Sequence, residues 1–163
     1  MAVTTQLSTE YTNATATPIV KADTTGDKGK LRTLAFTHDQ DGAGDANSTV
    51  TLGKLPAGKV KIIGGLSRFY CNWVTGSQTM DIGWEAYTDL NGDAVAADVD
   101  GMVDGLDVDS VGYFSMEGNT AATKLLGGNH TFESQGGVVI KALAIGALVD
   151  GDDLSGVITY IVD

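Results

Sequence analysis

MDIGWEAYTDLNGDAVAADVDGMVDGLDVD, residues 80–109, is the stretch on which the fold turns. Its first eight residues alternate: Met80, Ile82, Trp84 and Ala86 share one face, and Asp81, Gly83, Glu85 and Tyr87 share the other. A period of two is what a half-buried strand requires. At Tyr87 the alternation stops. Asp89, Asp93, Asp98, Asp100, Asp104, Asp107 and Asp109 then follow with no Lys or Arg among them. The stretch predicts a strand that feeds a long, acidic, Gly-punctuated loop over 88–109. Such a segment suits a binding or structural module and announces no reaction.

Working outward, the composition extends the β reading to the whole chain. Among 163 residues there are 22 Gly and 2 Pro, with Thr, Val, Asp and Ala prominent. Gly disfavours helix interiors and β-branched residues fit strands. The length suits one domain with a sizeable core. We divide it into an extended N-terminal arm, 1–25, and a single β-sandwich body, 26–163. The arm is Thr- and Ala-rich, without helical periodicity. It reads either as a disordered tail or as a segment that orders on a neighbouring subunit through Tyr11, Pro18, Ile19 and Val20.

The net charge of -11 is unevenly spread. Residues 1–70 hold 8 of the 10 basic and 6 of the 21 acidic residues, a balance of +2; residues 71–163 hold the rest, a balance of -13. A surface this acidic repels a phosphate backbone, so nucleic acid is not expected as a partner. The acidic half suits a basic partner surface, cations, or solubility alone. The single cysteine, Cys71, excludes an intrachain disulfide and reads as a small buried hydrophobe. No signal peptide and no membrane-spanning run is evident, so a protein made in a cytoplasm is expected.

The remaining strands are predicted at 31–37, 49–52, 59–74 with a face switch near Ser67–Arg68, 111–116, 138–145 and 157–162. A bulge or break would produce that switch. Residues 69–74 and 79–87 suggest one hairpin, and the last two strands another. A short helix is possible at 121–126. Roughly eight strands with long loops fit an all-β, jelly-roll-like two-sheet sandwich. An immunoglobulin-like sandwich is the alternative, with strand spacing that suits this chain less well.

Candidate sites are few. Asp89, Asn91 and Asp93 offer oxygen ligands of the kind Ca²⁺ takes, with Asp98 and Asp100 as a second possibility. Yet Gly92 falls at the fourth position of that run rather than the sixth, and the twelfth lacks Glu; an Asn-Gly turn accounts for it as well. His38 and His130 lie far apart in polar loops. Ser67 lacks the second glycine of a nucleophile elbow. Asp81 and Glu85, about 13 Å apart along one strand, are too distant for a carboxylate pair and read as solvent-facing charges. Trp84 reads as core, whereas Tyr70 and Tyr87 are the exposed aromatics that a glycan would need. No catalytic residue, no bound metal and no cofactor is expected.

Four segments carry a resemblance: STEYTNATATP in the arm, KLPAGKVKIIGGLSRFY, TMDIGWEAYTDLNGDAVAADVDGMVDGLDV, and KLLGG…TFESQGGVVI with the closing ITYIVD. DIGWEAYTDLNG and FESQGGV are the most distinctive. Together they resemble a family of small virion structural proteins of tailed bacteriophages. That resemblance implies a capsid decoration ("cement") or minor head protein without enzyme activity, placed on the outer capsid surface. Its implied partners are the major capsid protein and further copies of itself, as a homodimer or homotrimer. The alternative is a virion surface module that binds host glycans, with or without calcium.

Overall fold

The computed structural model describes residues 4–8, 11–12, 15–18, 31–73, 78–118 and 129–162. The expected helix at 121–126, residues 75–77 of a turn expected at 75–78, and Ile19 and Val20 lie outside the described residues. The described chain is almost wholly β, in two packed sheets and one small hairpin.

The first sheet takes β1 (Thr5–Leu7), β3 (Ser48–Leu55), β12 (Val138–Ala144), β6 (Thr79–Trp84) and β9 (Asp98–Asp107), in the order β1-β3-β12-β6-β9. The second is built on β13 (Asp153–Val162). One side of β13 pairs along nearly its whole length with β2 (Leu31–Asp39). Its other side pairs with β5 (Arg68–Cys71) and then β4 (Gly58–Ile62), which lie end to end. β10 (Gly112–Ser115) flanks β5, and β11 (His130–Ser134) flanks β4. The small hairpin is β7 (Tyr87–Thr88) with β8 (Ala94–Val95). The inward side chains form one core, with Val50, Ile82, Ile140 and Met80 from the first sheet meeting Phe36, Val60, Ile62, Phe69, Phe132 and Ile158 from the second. The all-β sandwich is the expected fold class.

The face switch in the long apolar segment is a break between β4 and β5. A 3₁₀ turn at Gly64–Leu66 separates the strands, so that Ile62 faces Tyr160 and Arg68 faces Val157. Five residues of one strand thus stand against two of its partner. Ser67, fully buried, closes the gap. Its hydroxyl donates to the Ile63 carbonyl (2.9 Å) and accepts from the Thr159 amide (2.9 Å). The Thr159 hydroxyl donates in turn to the Leu66 carbonyl (2.9 Å). Backbone groups that the break would orphan are therefore satisfied by two side chains.

Three expectations are corrected. First, 88–109 is not one loop: it holds the β7–β8 hairpin and a ten-residue strand, β9. Register shifts against β6 hide the strand's period, because Met80 faces Leu106, Ile82 faces Val103 and Trp84 faces Asp98. Adjacent Met102 and Val103 are consequently both buried. Second, β5 and β6 do not form a hairpin; they belong to different sheets. Third, β12 and β13 likewise part into opposite sheets, because both are central strands already flanked on each side. In the stretch read as an extended arm, β1 pairs parallel with β3, and helical backbone then begins at Tyr11 and Thr12.

The β6–β9 contact depends on two glycines. A Cβ on Gly83 would stand 1.9 Å from the Asp98 carbonyl oxygen, and one on Gly101 would stand 2.3 Å from the Trp84 ring. Gly83→Ala and Gly101→Ala are each expected to lower stability by about 1–3 kcal/mol through overpacking, read as a lower urea midpoint. Ser67→Ala should cost about 1–3 kcal/mol on the same assay, because it leaves the buried Thr159 amide without its acceptor. Cys71 is fully buried, and burial pushes its thiol up to about 12. It should resist a disulfide reagent at pH 8 in the native protein and react at once in guanidinium; rapid native reaction would contradict this packing.

Candidate functional site

The arm begins as part of the body. Thr4 accepts from the Thr49 amide through its carbonyl (3.1 Å), and the Ser8 amide donates to the Thr51 carbonyl (2.7 Å). Ser8 is buried; its hydroxyl donates to the Leu52 carbonyl (2.8 Å) and accepts from the Tyr11 amide (3.2 Å). The Ser8 carbonyl accepts from the Thr12 amide and hydroxyl, both at 3.0 Å. Ser8 thus starts a helical turn that sets Tyr11 half-buried beside the sheet edge, while Pro18 is exposed further on.

The run Asp89–Asp93 is a closed turn. The Asp89 carboxylate accepts from the amides of Asn91 and Asp93, both at 2.8 Å, and from the Asn91 side chain (3.3 Å). The amides of Asp93 and Asn91 hold its pKa below the ordinary carboxylate value. Its lone pairs are thus engaged by its own backbone, as an Asx turn requires. The neighbouring Asp100 carboxyl holds Asp98 above the ordinary carboxylate value. Among the described residues no group of three or more His, Cys, Asp or Glu stands together as a metal site.

Asp81 departs from its sequence reading. It is not a solvent-facing charge but is 8% exposed, and it accepts from the Gly105 amide at 2.6 Å. Burial raises its pKa, opposed by that hydrogen bond. Glu85, by contrast, pairs with Lys141 at the surface. His38 is buried on β2 with its ring against the Gln40 side chain (3.3 Å). His130 packs against the rings of Trp84 and Phe132, with its centroid 4.3 Å from each. Burial lowers both histidines. The Ser67 hydroxyl is committed to Ile63 and Thr159, so the one hydroxyl considered as a nucleophile is a structural clamp.

The aromatics do not form a shared platform. Trp84 is core, as expected, with Phe132 edge-on at 5.2 Å. Tyr70 faces Ser155 near the start of β13, whereas Tyr87 packs on Phe132, which faces Val60 and thence Val162. Seven residues along β13 separate these levels, about 23 Å. The sequence reading missed Tyr113, which is 82% exposed and stands across from Tyr70 at 5.4 Å. The signal was present in the run Gly112–Ser115, where Phe114 takes the inward parity and leaves Tyr113 outward. No helix among the described residues is long and apolar enough to cross a membrane.

No family model and no curated relative matches the sequence. Solved structures match its fold. A chain of the capsid of Ralstonia phage GP4 is 13% identical with a TM-score of 0.60, over 100% of this chain and 99% of that one. A chain of the cyanophage Pam1 capsid asymmetric unit is 14% identical with a TM-score of 0.52, over 88% of this chain and 92% of that one. At such identities the likeness is one of fold: the chain is a jelly-roll-like sandwich of the kind found in phage capsids.

Proposed function

We propose that this chain is a structural protein of a bacteriophage virion, and that its place is on the outside of the head as a decoration protein. The observation that carries this reading is the end-to-end match to a chain of the Ralstonia phage GP4 capsid, in which nearly all of both chains align. The residues support it from another side: the polar groups that chemistry would need are spent on architecture, Ser67 on a strand break and Asp89 on a turn. The body is a rigid scaffold and the arm residues Tyr11, Pro18, Ile19 and Val20 are its grip on the major capsid protein. Self-association as a homodimer or homotrimer brings several grips to one shell, which raises avidity without new contacts.

Co-sedimentation with undecorated capsids tests the reading. Saturable binding is expected at a copy number comparable to that of the major capsid protein. A full-length variant with Tyr11→Ala, Ile19→Ala and Val20→Ala should bind at least about tenfold more weakly, the loss of roughly 1.4 kcal/mol. Absence of binding by the unaltered protein would sink the decoration role. The glycan alternative gains nothing from tyrosines set about 23 Å apart. Millimolar Ca²⁺ followed by EDTA should leave the melting temperature unchanged, since the Asp89 carboxylate is already occupied by amides; a calcium-dependent rise would revive that alternative.

A further inference from the structure

Asn91 and Gly92 set two groups that react with each other side by side, at the tip of the β7–β8 hairpin. Attack of the Gly92 backbone nitrogen on the Asn91 side-chain amide carbon closes a five-membered ring. Glycine hinders that attack least, because no side chain flanks its nitrogen. The chain has six asparagines, at 13, 47, 72, 91, 119 and 129, and only Asn91 precedes glycine; the others precede Ala, Ser, Trp, Thr and His. Residues 90–93 are all exposed. Beyond its chain neighbours, a Cβ on Gly92 would meet only the Gln135 side-chain nitrogen, at 3.9 Å. Solvent therefore reaches both reacting groups. At Asn72 and Asn129, by contrast, the side-chain oxygens accept from the amides of Asp153 and Gly64.

The closed turn holds these two groups apart, and every restraint runs through Asp89. The Gly92 amide, whose nitrogen must attack, donates to the Asp89 carbonyl at 3.2 Å. The Asn91 side-chain amide, which must be attacked, donates to the Asp89 carboxylate at 3.3 Å. The same carboxylate accepts from the Asn91 amide at 2.8 Å and so fixes the backbone between them. The reaction therefore needs the turn to open. A hairpin with two residues on each side is marginal by itself, so that opening is local and leaves the sandwich folded.

We propose that Asn91 is a site of self-modification, at which the Gly92 nitrogen displaces ammonia from the Asn91 side chain at a rate that Asp89 sets by holding the turn closed. In the step, the Gly92 nitrogen gives its proton to solvent base and bonds to the Asn91 side-chain amide carbon. The bond from that carbon to the side-chain nitrogen breaks, and this nitrogen takes up a proton and leaves as ammonia. Water then opens the cyclic imide at either carbonyl, which leaves aspartate or isoaspartate at position 91. No oxidant or reductant takes part. Both products add a negative charge between Asp89 and Asp93. Isoaspartate also lengthens the backbone by one carbon, so the Asp93 amide loses its place on the Asp89 carboxylate. The hairpin is tied to β11 through the Asp89–Ser134 bridge and the bond from the Gln135 amide to the Thr88 carbonyl, and the modification loosens that tie. This goes beyond the decoration reading and does not rest on it.

Peptide mapping by mass spectrometry tests the proposal, on the full chain aged in mildly alkaline buffer. The mass gain of deamidation should appear first in the peptide that holds Asn91, with isoaspartate among the products. Asp89→Ala removes the carboxylate that holds Asn91 and should speed the gain about three- to tenfold, the worth of one net hydrogen bond in the opening equilibrium. Asp89→Asn keeps an acceptor for the turn amides and should fall between the two. Gly92→Ala strains a backbone with φ of +95° and so opens the turn, yet it should slow the gain because the new side chain hinders the nitrogen. The other five asparagines report on the body in every variant and should stay unchanged. An Asp89→Ala protein that reacts no faster than the unaltered chain would overturn the role of Asp89. A gain that appears first at another asparagine, or that survives Gly92→Ala at full rate, would overturn the site. Capsid binding is measured separately, so failure here leaves the decoration reading standing.

Discussion

β13 is the strand that the second sheet cannot do without. Its ten residues satisfy the backbone of β2 on one side and of β5 and β4 on the other, and β10 and β11 are attached only through those two. A buried amide or carbonyl left without a partner costs about 1–3 kcal/mol. The loss of one strand's pairing would thus be multiplied across five others. The same strand sets the chemistry of both faces. Leu154 and Ile158 feed the core, while Val157 and Ile161 join Arg68 and Lys61 outside.

Irregularity in this sandwich is concentrated where two long strands must match partners of different length. Between β4 and β5 the surplus becomes a 3₁₀ turn, and Ser67 and Thr159 replace the missing ladder bonds. Between β6 and β9 it becomes two register shifts, tolerated because Gly83 and Gly101 leave room for backbone and for the Trp84 ring. Bulges of this kind increase local twist and bend the edge of a sheet. At β9 they also turn aspartates outward, on an edge that charge protects from indiscriminate pairing.

The sequence disclosed what alternation and turn chemistry can encode. The strand at Thr79–Trp84, the break before Arg68, the turn at Asn91-Gly92 and the burial of Trp84 and Cys71 all follow from local patterns. Pairing did not follow, since which strands become neighbours is decided by the competition for central positions. β12 and β13 look like a hairpin along the chain, yet each is already flanked on both sides in its own sheet. β9 was hidden because its shifts put Met102 and Val103 inward in succession, which erases the period of two. Asp81 was misplaced for a related reason: parity put it outward, but the neighbouring strand's Gly105 amide reaches over it.

The position of β13 in the chain has a consequence for biosynthesis. Among the described residues, the strand that joins β2, β4 and β5 follows all of them in the chain and is translated after them. Until residues 153–162 have left the ribosome, the second sheet has no seam, and Phe36, Val60, Ile62 and Phe69 have no completed sheet in which to bury. Contacts this distant in sequence also make folding slow. The nascent chain therefore emerges with its apolar strands open, and the sandwich closes late, in a step governed by its final strand. The high acidic charge of the second half repels other nascent copies during that interval.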